Sequence, residues 1–214
     1  CISGPAQHLW DSFKRIGRET DYTIWMCNYP KAPQHNIVEI SKNIDAVYSE
    51  AIASYTASNI ILIGDSVGGT LVTALTQRLI LKNKPLPGKL ILISPVMDAS
   101  FSNPAIDTVD PIDTMLSKKG LLSAKKMCAQ NLDLKDAIIS PLYGSFQSFP
   151  ETVIYAGERD ITYPDQILAF SKAKKANVAI TLVDGKNMPH IWPLLPIMKE
   201  AKSALNGLLQ VLNQ

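Results

Sequence analysis

An apolar run, Ile60-Ile61-Leu62-Ile63, stops at Gly64-Asp65-Ser66-Val67-Gly68-Gly69, and a helical repeat of Leu71, Ala74, Leu75 and Leu79 begins at once. A short, continuous, β-branched run predicts a strand covered on both faces. A G-x-S-x-G sequence between such a strand and a helix predicts a tight turn that holds its serine proud of the sheet. The two glycines of that pattern are expected to prevent collisions with the neighbouring strand and helix. The N–H of Val67 falls at the mouth of the new helix, where negative charge is favoured. Ser66 is therefore a candidate nucleophile and Val67 a candidate oxyanion donor. The rest of the chain has to supply a base and an acid.

The surrounding pattern alternates. Leu9, Phe13 and Ile16 share a helical face, and a strand is expected over Tyr22–Cys27. A helix follows, carrying Ile37, Ile40, Ile44, Val47, Tyr48, Ala51, Ile52 and Tyr55 at three- and four-residue spacing. Further strands are predicted at Asn59–Ile63, Leu90–Ile93, Thr152–Tyr155 and Val178–Val183. Helices are predicted near 117–130, at 164–176 with Pro164 in the first turn, and at the C-terminal end. Five strands separated by helices predict an α/β fold, a mostly parallel sheet covered on both faces. Residues 96–150 are richer in Pro, Ser and Asp, and read as a small helical cap inserted into a single domain spanning 1–214.

In an open parallel sheet the working residues sit on loops beyond the carboxyl ends of the strands. The fourth predicted strand ends in Ala156-Gly157-Glu158-Arg159-Asp160. The fifth ends in Asp184-Gly185-Lys186-Asn187-Met188-Pro189-His190. A serine hydroxyl is too weak an acid to attack an ester unaided, so His190 is expected to take its proton. Asp160 is expected to orient the imidazole and stabilise its cation. Glu158 and Asp165 are rival acids; Asp165, just after Pro164, also suits a helix N-terminus. His8 and His35 lie in or beside early helices, away from that edge. Asp65 reads as a turn residue.

Other function classes fit poorly. The 214 residues carry a formal charge of +2 with no basic stripe, which argues against nucleic acid as a partner. The pairs Lys118-Lys119, Lys125-Lys126 and Lys174-Lys175 read as solvated helix faces. Three scattered cysteines, Cys1, Cys27 and Cys128, make neither a disulfide framework nor a metal cluster. Asp107, Asp110 and Asp113 lack the glycine and glutamate of a calcium loop and read as surface turns. No stretch approaches the length of a membrane helix. The expected partner is a small-molecule ester, with no metal or other cofactor, and a cytoplasmic location is the default expectation.

Several motifs, in order, carry a resemblance. Gly64-Asp65-Ser66-Val67-Gly68-Gly69 is similar to the Gly-Asp-Ser-Ala-Gly-Gly motif of the hormone-sensitive-lipase-like branch of the α/β-hydrolase superfamily. Tyr29-Pro30-Lys31-Ala32-Pro33-Gln34-His35 resembles its Tyr-Arg-Leu-Ala-Pro-Glu-His segment. Ser94-Pro95-Val96-Met97-Asp98 matches its Ser-Pro-x-x-Asp, and Asp110-Pro111 its Asp-Pro. Ser140-Pro141-Leu142, Gly157-Glu158-Arg159-Asp160 and Met188-Pro189-His190-Ile191-Trp192 resemble its acid and histidine regions. The resemblance implies an α/β-hydrolase fold and cofactor-independent hydrolysis of carboxylic esters, often of short acyl chains. It sits nearest the acetyl-esterase and steryl-acetyl-hydrolase type.

One departure stands out. The branch carries a His-Gly-Gly-Gly loop whose N–H groups complete the oxyanion hole. Here Cys1-Ile2-Ser3-Gly4-Pro5 looks like the segment that follows that loop, and Cys1 is not an initiator methionine. The expectation is that the earlier strands and the loop lie outside this chain. Two other readings share the fold: a small-molecule receptor without catalysis, and an amidase, arylformamidase or peptidase using the same triad. Phe101, Met115, Leu116, Leu121, Leu122 and Met127 are candidates for an acyl or alcohol pocket, or for ordinary core.

Overall fold

The computed structural model describes residues 2, 7–195 and 198–213. Apart from Ile2, the 1–5 segment that resembles the stretch after the oxyanion loop lies outside the described residues. The chain opens with α1 (Gln7–Glu19) and α2 (Ile37–Ser54). Asn36 caps α2: its side chain accepts from the N–H groups of Val38 and Glu39, while Glu39 reaches back to the Asn36 N–H. Then come β1 (Ile61–Asp65), α3 (Val67–Leu81) and β2 (Lys89–Ile93). The segment between β2 and β3 (Glu151–Gly157) holds a short helix α4 (Ile106–Val109), α5 (Lys118–Ala129) and 3₁₀ turns. The chain closes with α6 (Tyr163–Lys175), β4 (Ile180–Gly185) and α7 (Lys199–Leu212). None of the helices among the described residues is long and apolar enough to cross a membrane.

The four strands lie in the order β1-β2-β3-β4, all parallel. Alternation along β2 divides the core. Ile91 and Ile93 face a layer built from Ile16 of α1 and Leu208, Leu209 and Leu212 of α7. Leu90 and Leu92 face the opposite layer, with Ala169 and Ala173 of α6 and Val72 and Ile80 of α3. In turn α2 covers α3 through Tyr48, Leu75 and Leu79. The inner strand β2 and most of β3 are covered on both faces and apolar, and even β4, with Thr181 and Asp184 exposed, keeps an apolar run readable as a strand.

The expected strand at Tyr22–Cys27 does not form: residues 22–30 take no regular secondary structure, and the sheet among the described residues has four strands, not five. A strand exists only with a ladder partner. Residues 22–27 line a cavity together with β1 and pair with no strand of the sheet among the described residues.

The register aligns the carboxyl ends of the strands. Asp65 pairs with Ile93, Ile93 with Tyr155, and Tyr155 with Val183. The segments beginning at Ser66, Ser94, Glu158 and Lys186 therefore leave the sheet at one rim.

Candidate active site

The turn after β1 is pinned by main-chain bonds. The N–H of Ser66 donates to Ile93 O at 2.8 Å, and Ser66 O accepts from Val96 N at 3.2 Å. Ser66 itself takes φ 51° and ψ −117°, a costly conformation for a non-glycine residue that the surrounding bonds enforce. Thr70 Oγ1 donates to Val96 O at 2.5 Å, tying the first turn of α3 to the segment after β2. Because Gly69 and Thr70 both donate to Ser66 O, the N–H groups of Val67 and Gly68 have no backbone partner among the described residues.

The steric role of the glycines differs from the sequence expectation. A Cβ on Gly64 would lie 2.5 Å from the Gly68 carbonyl, and one on Gly69 2.6 Å from Pro95 Cβ. A Cβ on Gly68, the second glycine of the pattern, would meet nothing nearer than Asp65 Oδ1 at 3.8 Å. The crowding comes from Pro95, which leaves β2 beside α3 and cannot be seen from the pentapeptide alone. Gly69→Ala is expected to cost about 1–3 kcal/mol through overpacking, a fall in Tm of roughly 2–12 °C. Gly68→Ala is expected to be neutral or to stabilise α3 by up to about 1 kcal/mol. Thermal unfolding of the two variants checks both.

On the other side of the rim, β3 runs into the acid. Asp160 is fully buried and His190 is 4% exposed. The His190 Nδ1–H donates to Asp160 Oδ2 at 2.8 Å, which leaves Nε2 as the basic nitrogen. Asp160 Oδ1 accepts from the Thr162 N–H at 2.8 Å and from Thr162 Oγ1 at 2.7 Å. Gln166 Nε2 donates to Asp160 Oδ2 at 3.3 Å. Burial pushes the Asp160 carboxyl up, but the His190 charge, its hydrogen bond and the Thr162 donors prevail and hold it below its ordinary value. Burial pulls the His190 imidazole down, but the Asp160 charge and hydrogen bond outweigh it, with smaller help from Asp113 and Asp65, and raise it above 6.5.

The histidine loop is held by contacts far apart in the chain. Ile191, in a left-handed conformation, donates its N–H to Ser94 Oγ at 2.9 Å. Trp192 Nε1 donates to Ala156 O at 3.1 Å. Gly157 lets the loop close down, since a Cβ there would lie 2.5 Å from Met188 O. The rival acids are occupied elsewhere. Glu158 Oε2 accepts from Asn187 N at 2.9 Å, shaping the loop without touching the imidazole. Asp165, buried and bonded to Asn103 Nδ2, is pushed up to about 6 by its burial. Asp113, read as a surface turn, is half-buried, and its Oδ2 accepts the Ile161 N–H at 2.8 Å beside the acid. His35 lies beside Glu39 on the exposed start of α2, and His8 falls within α1.

Ser66, Val67 and His190 line one cavity of about 820 Å³. No hydrogen bond joins Ser66 Oγ to the imidazole among the described residues; in an unliganded site that contact is commonly loose. The cavity is also lined by β1, the end strand of the sheet among the described residues, and by Trp25 and Cys27. Met115, Leu116 and Leu121 line it as anticipated. The other pocket candidates do not: Phe101 is fully buried with Ile106 and Ile161, Leu122 packs on that cluster, and Met127 is exposed. Burial raises the thiols of Cys27 and Cys128, which makes both poor nucleophiles.

Comparison with known proteins places this geometry. Over 195 residues the chain is 25% identical to a triacylglycerol lipase of Mycobacterium tuberculosis, covering 91% of this chain and 40% of that protein. It is 28% identical over 167 residues to an esterase of Acinetobacter venetianus, covering 77% of this chain and 55% of that one. The chain thus spans about half the length of these relatives. A crystal structure of an esterase from the bacterial hormone-sensitive lipase family superposes with a TM-score of 0.89 at 27% identity, covering 94% of this chain and 68% of that one. Residues 1–194 match the family model of the alpha/beta hydrolase fold. With its strand–serine–helix turn and its acid and histidine at the same rim, the chain belongs to the alpha/beta hydrolase fold family, on the side of its hormone-sensitive-lipase-like members.

Proposed function

We propose that this chain carries the catalytic machinery of a serine hydrolase of carboxylic esters, with short acyl groups such as acetyl preferred. The observation that supports this most is the buried Asp160–His190 pair beside the strained Ser66 turn, in a shared cavity. In the proposed reaction Nε2 of His190 takes the Ser66 proton as Oγ attacks the ester carbonyl carbon. The carbonyl oxygen becomes the oxyanion of a tetrahedral intermediate and accepts from the Val67 N–H. Collapse breaks the bond to the alcohol oxygen, which leaves with the proton from His190. Water, deprotonated by the same imidazole, then attacks the acyl-serine. A second collapse frees the acid and returns the proton to Ser66. The two named relatives, a triacylglycerol lipase and an esterase, favour esters over amides as substrates.

A fluorophosphonate probe tests this reading without relying on turnover. The expected result is one adduct per chain, located on Ser66 by peptide mass spectrometry. The labelling rate should rise with pH through a midpoint above 6.5, because the raised imidazole must be neutral to act as base. Labelling elsewhere, or a rate flat from acid to neutral pH, would refute the assignment.

A further inference from the structure

The pair Lys125-Lys126 reads in the sequence as solvated helix surface, and half of that reading is wrong. Lys126 is exposed, whereas Lys125 is only 4% exposed, on the inward side of α5. Its Nζ is buried and has no hydrogen-bond partner among the described residues. An ammonium without water or acceptor is among the costliest groups a fold can hold. Burial pulls Lys125 down to about 8, yet it still favours the charged form at neutral pH. The carboxylate that acts on it, Asp98, is committed elsewhere: it accepts from Ser100 N and Oγ, Ser102, Ser140 and Tyr143. Lys125 also lines the cavity that holds Ser66 and His190, beside Gly120, Leu121 and Ala124 of the same helix.

A buried ammonium without a partner, on a side chain that lines the reaction chamber, is suited to reading a ligand's charge. We propose that Lys125 is a specificity-determining residue that selects esters carrying a carboxylate on the acyl half, the hemiesters of dicarboxylic acids. This rests on the ester-hydrolase reading and names its substrate class. A carboxylate entering the cavity restores to the ammonium the acceptors it lacks, in a charge-assisted bond. A neutral ester leaves the cation unsatisfied. Discrimination therefore comes from both attraction and penalty.

The test uses the Ser66→Ala protein, in which binding is read free of turnover. Monomethyl glutarate and dimethyl glutarate differ in one negative charge and are compared by calorimetric titration at pH 7. The expected result is at least about tenfold tighter binding of the monoester, a margin of the order a charge-assisted contact supplies. Adding Lys125→Met should bring the two affinities together, and adding Lys125→Arg should preserve the preference. Met is linear, apolar and close in volume, so the buried site tolerates it. Equal affinities in the Lys125 protein, or a preference that survives Lys125→Met, would overturn the proposal. Failure of the ester-hydrolase reading looks different: Ser66 stays unlabelled by the fluorophosphonate while the binding preference persists.

Discussion

Replacing Ser66 with alanine should lower kcat on a nitrophenyl ester by about 10⁶, the loss seen when the nucleophile of a triad is removed. The fold should survive. The turn is held through the Ser66 main chain, by its bonds to Ile93 O, Val96 N, Gly69 N and Thr70 N. Alanine keeps those bonds, and the Asp160–His190 pair does not depend on the hydroxyl. The Ser66→Ala protein is therefore expected to unfold within a few degrees of the parent while hydrolysis falls by that factor. Near-normal hydrolysis in a well-folded Ser66→Ala protein would remove Ser66 from the mechanism, and with it the proposed reaction.

The second large effect belongs to Asp160. Asp160→Asn should reduce kcat by roughly 10⁴ with the fold retained. The hydrogen bonds give the reason. Oδ1 accepts two donors, the Thr162 N–H and hydroxyl, so asparagine must place its carbonyl oxygen there. Its NH₂ then faces His190 Nδ1, where Asp160 offers an acceptor. A donor there makes Nδ1 the acceptor and moves the ring proton to Nε2. That tautomer cannot take the proton of Ser66. The Glu158→Gln and Asp165→Asn proteins should change kcat far less, because neither carboxylate touches the imidazole. Steady-state kinetics on the three variants decide the assignment; near-normal kcat in Asp160→Asn with a collapse in either of the others would reverse it.

How much was legible follows from the range of the interactions concerned. The four sheet strands could be read because each carries a short, largely apolar run between turn and helix signals. The serine turn was read from its pentapeptide between a strand and a helix, the Asp160 and His190 loops from a topological rule about strand ends, and the structure brings the acid and the histidine into contact. What was missed depends on distant partners. Tyr22–Cys27 has a strand's composition but pairs with no strand among the described residues, and a strand is made by its partner rather than by its own sequence. Ser94 stood in a recognised motif, yet its task, accepting from Ile191 N, spans 97 positions of sequence. Gly69 is required by Pro95 on another strand's loop. Lys125 looked like its neighbour because a dilysine carries no sign of which member turns inward. Patterns within one element are local; which side chain ends up under another element is not.

The buried acid–imidazole pair has a consequence for handling. Asp160, depressed, lends stability above 3.8 that is lost as pH falls through its folded value. His190, elevated, lends stability that is complete below 6.5 and drains away as pH rises through its folded value. Both contributions are whole only on the mildly acidic side, between those limits. Hydrolysis needs the imidazole to have shed its proton, on the far side of the same titration. This pair therefore steadies the fold most where the imidazole is charged, whereas the proposed hydrolysis runs where it is neutral.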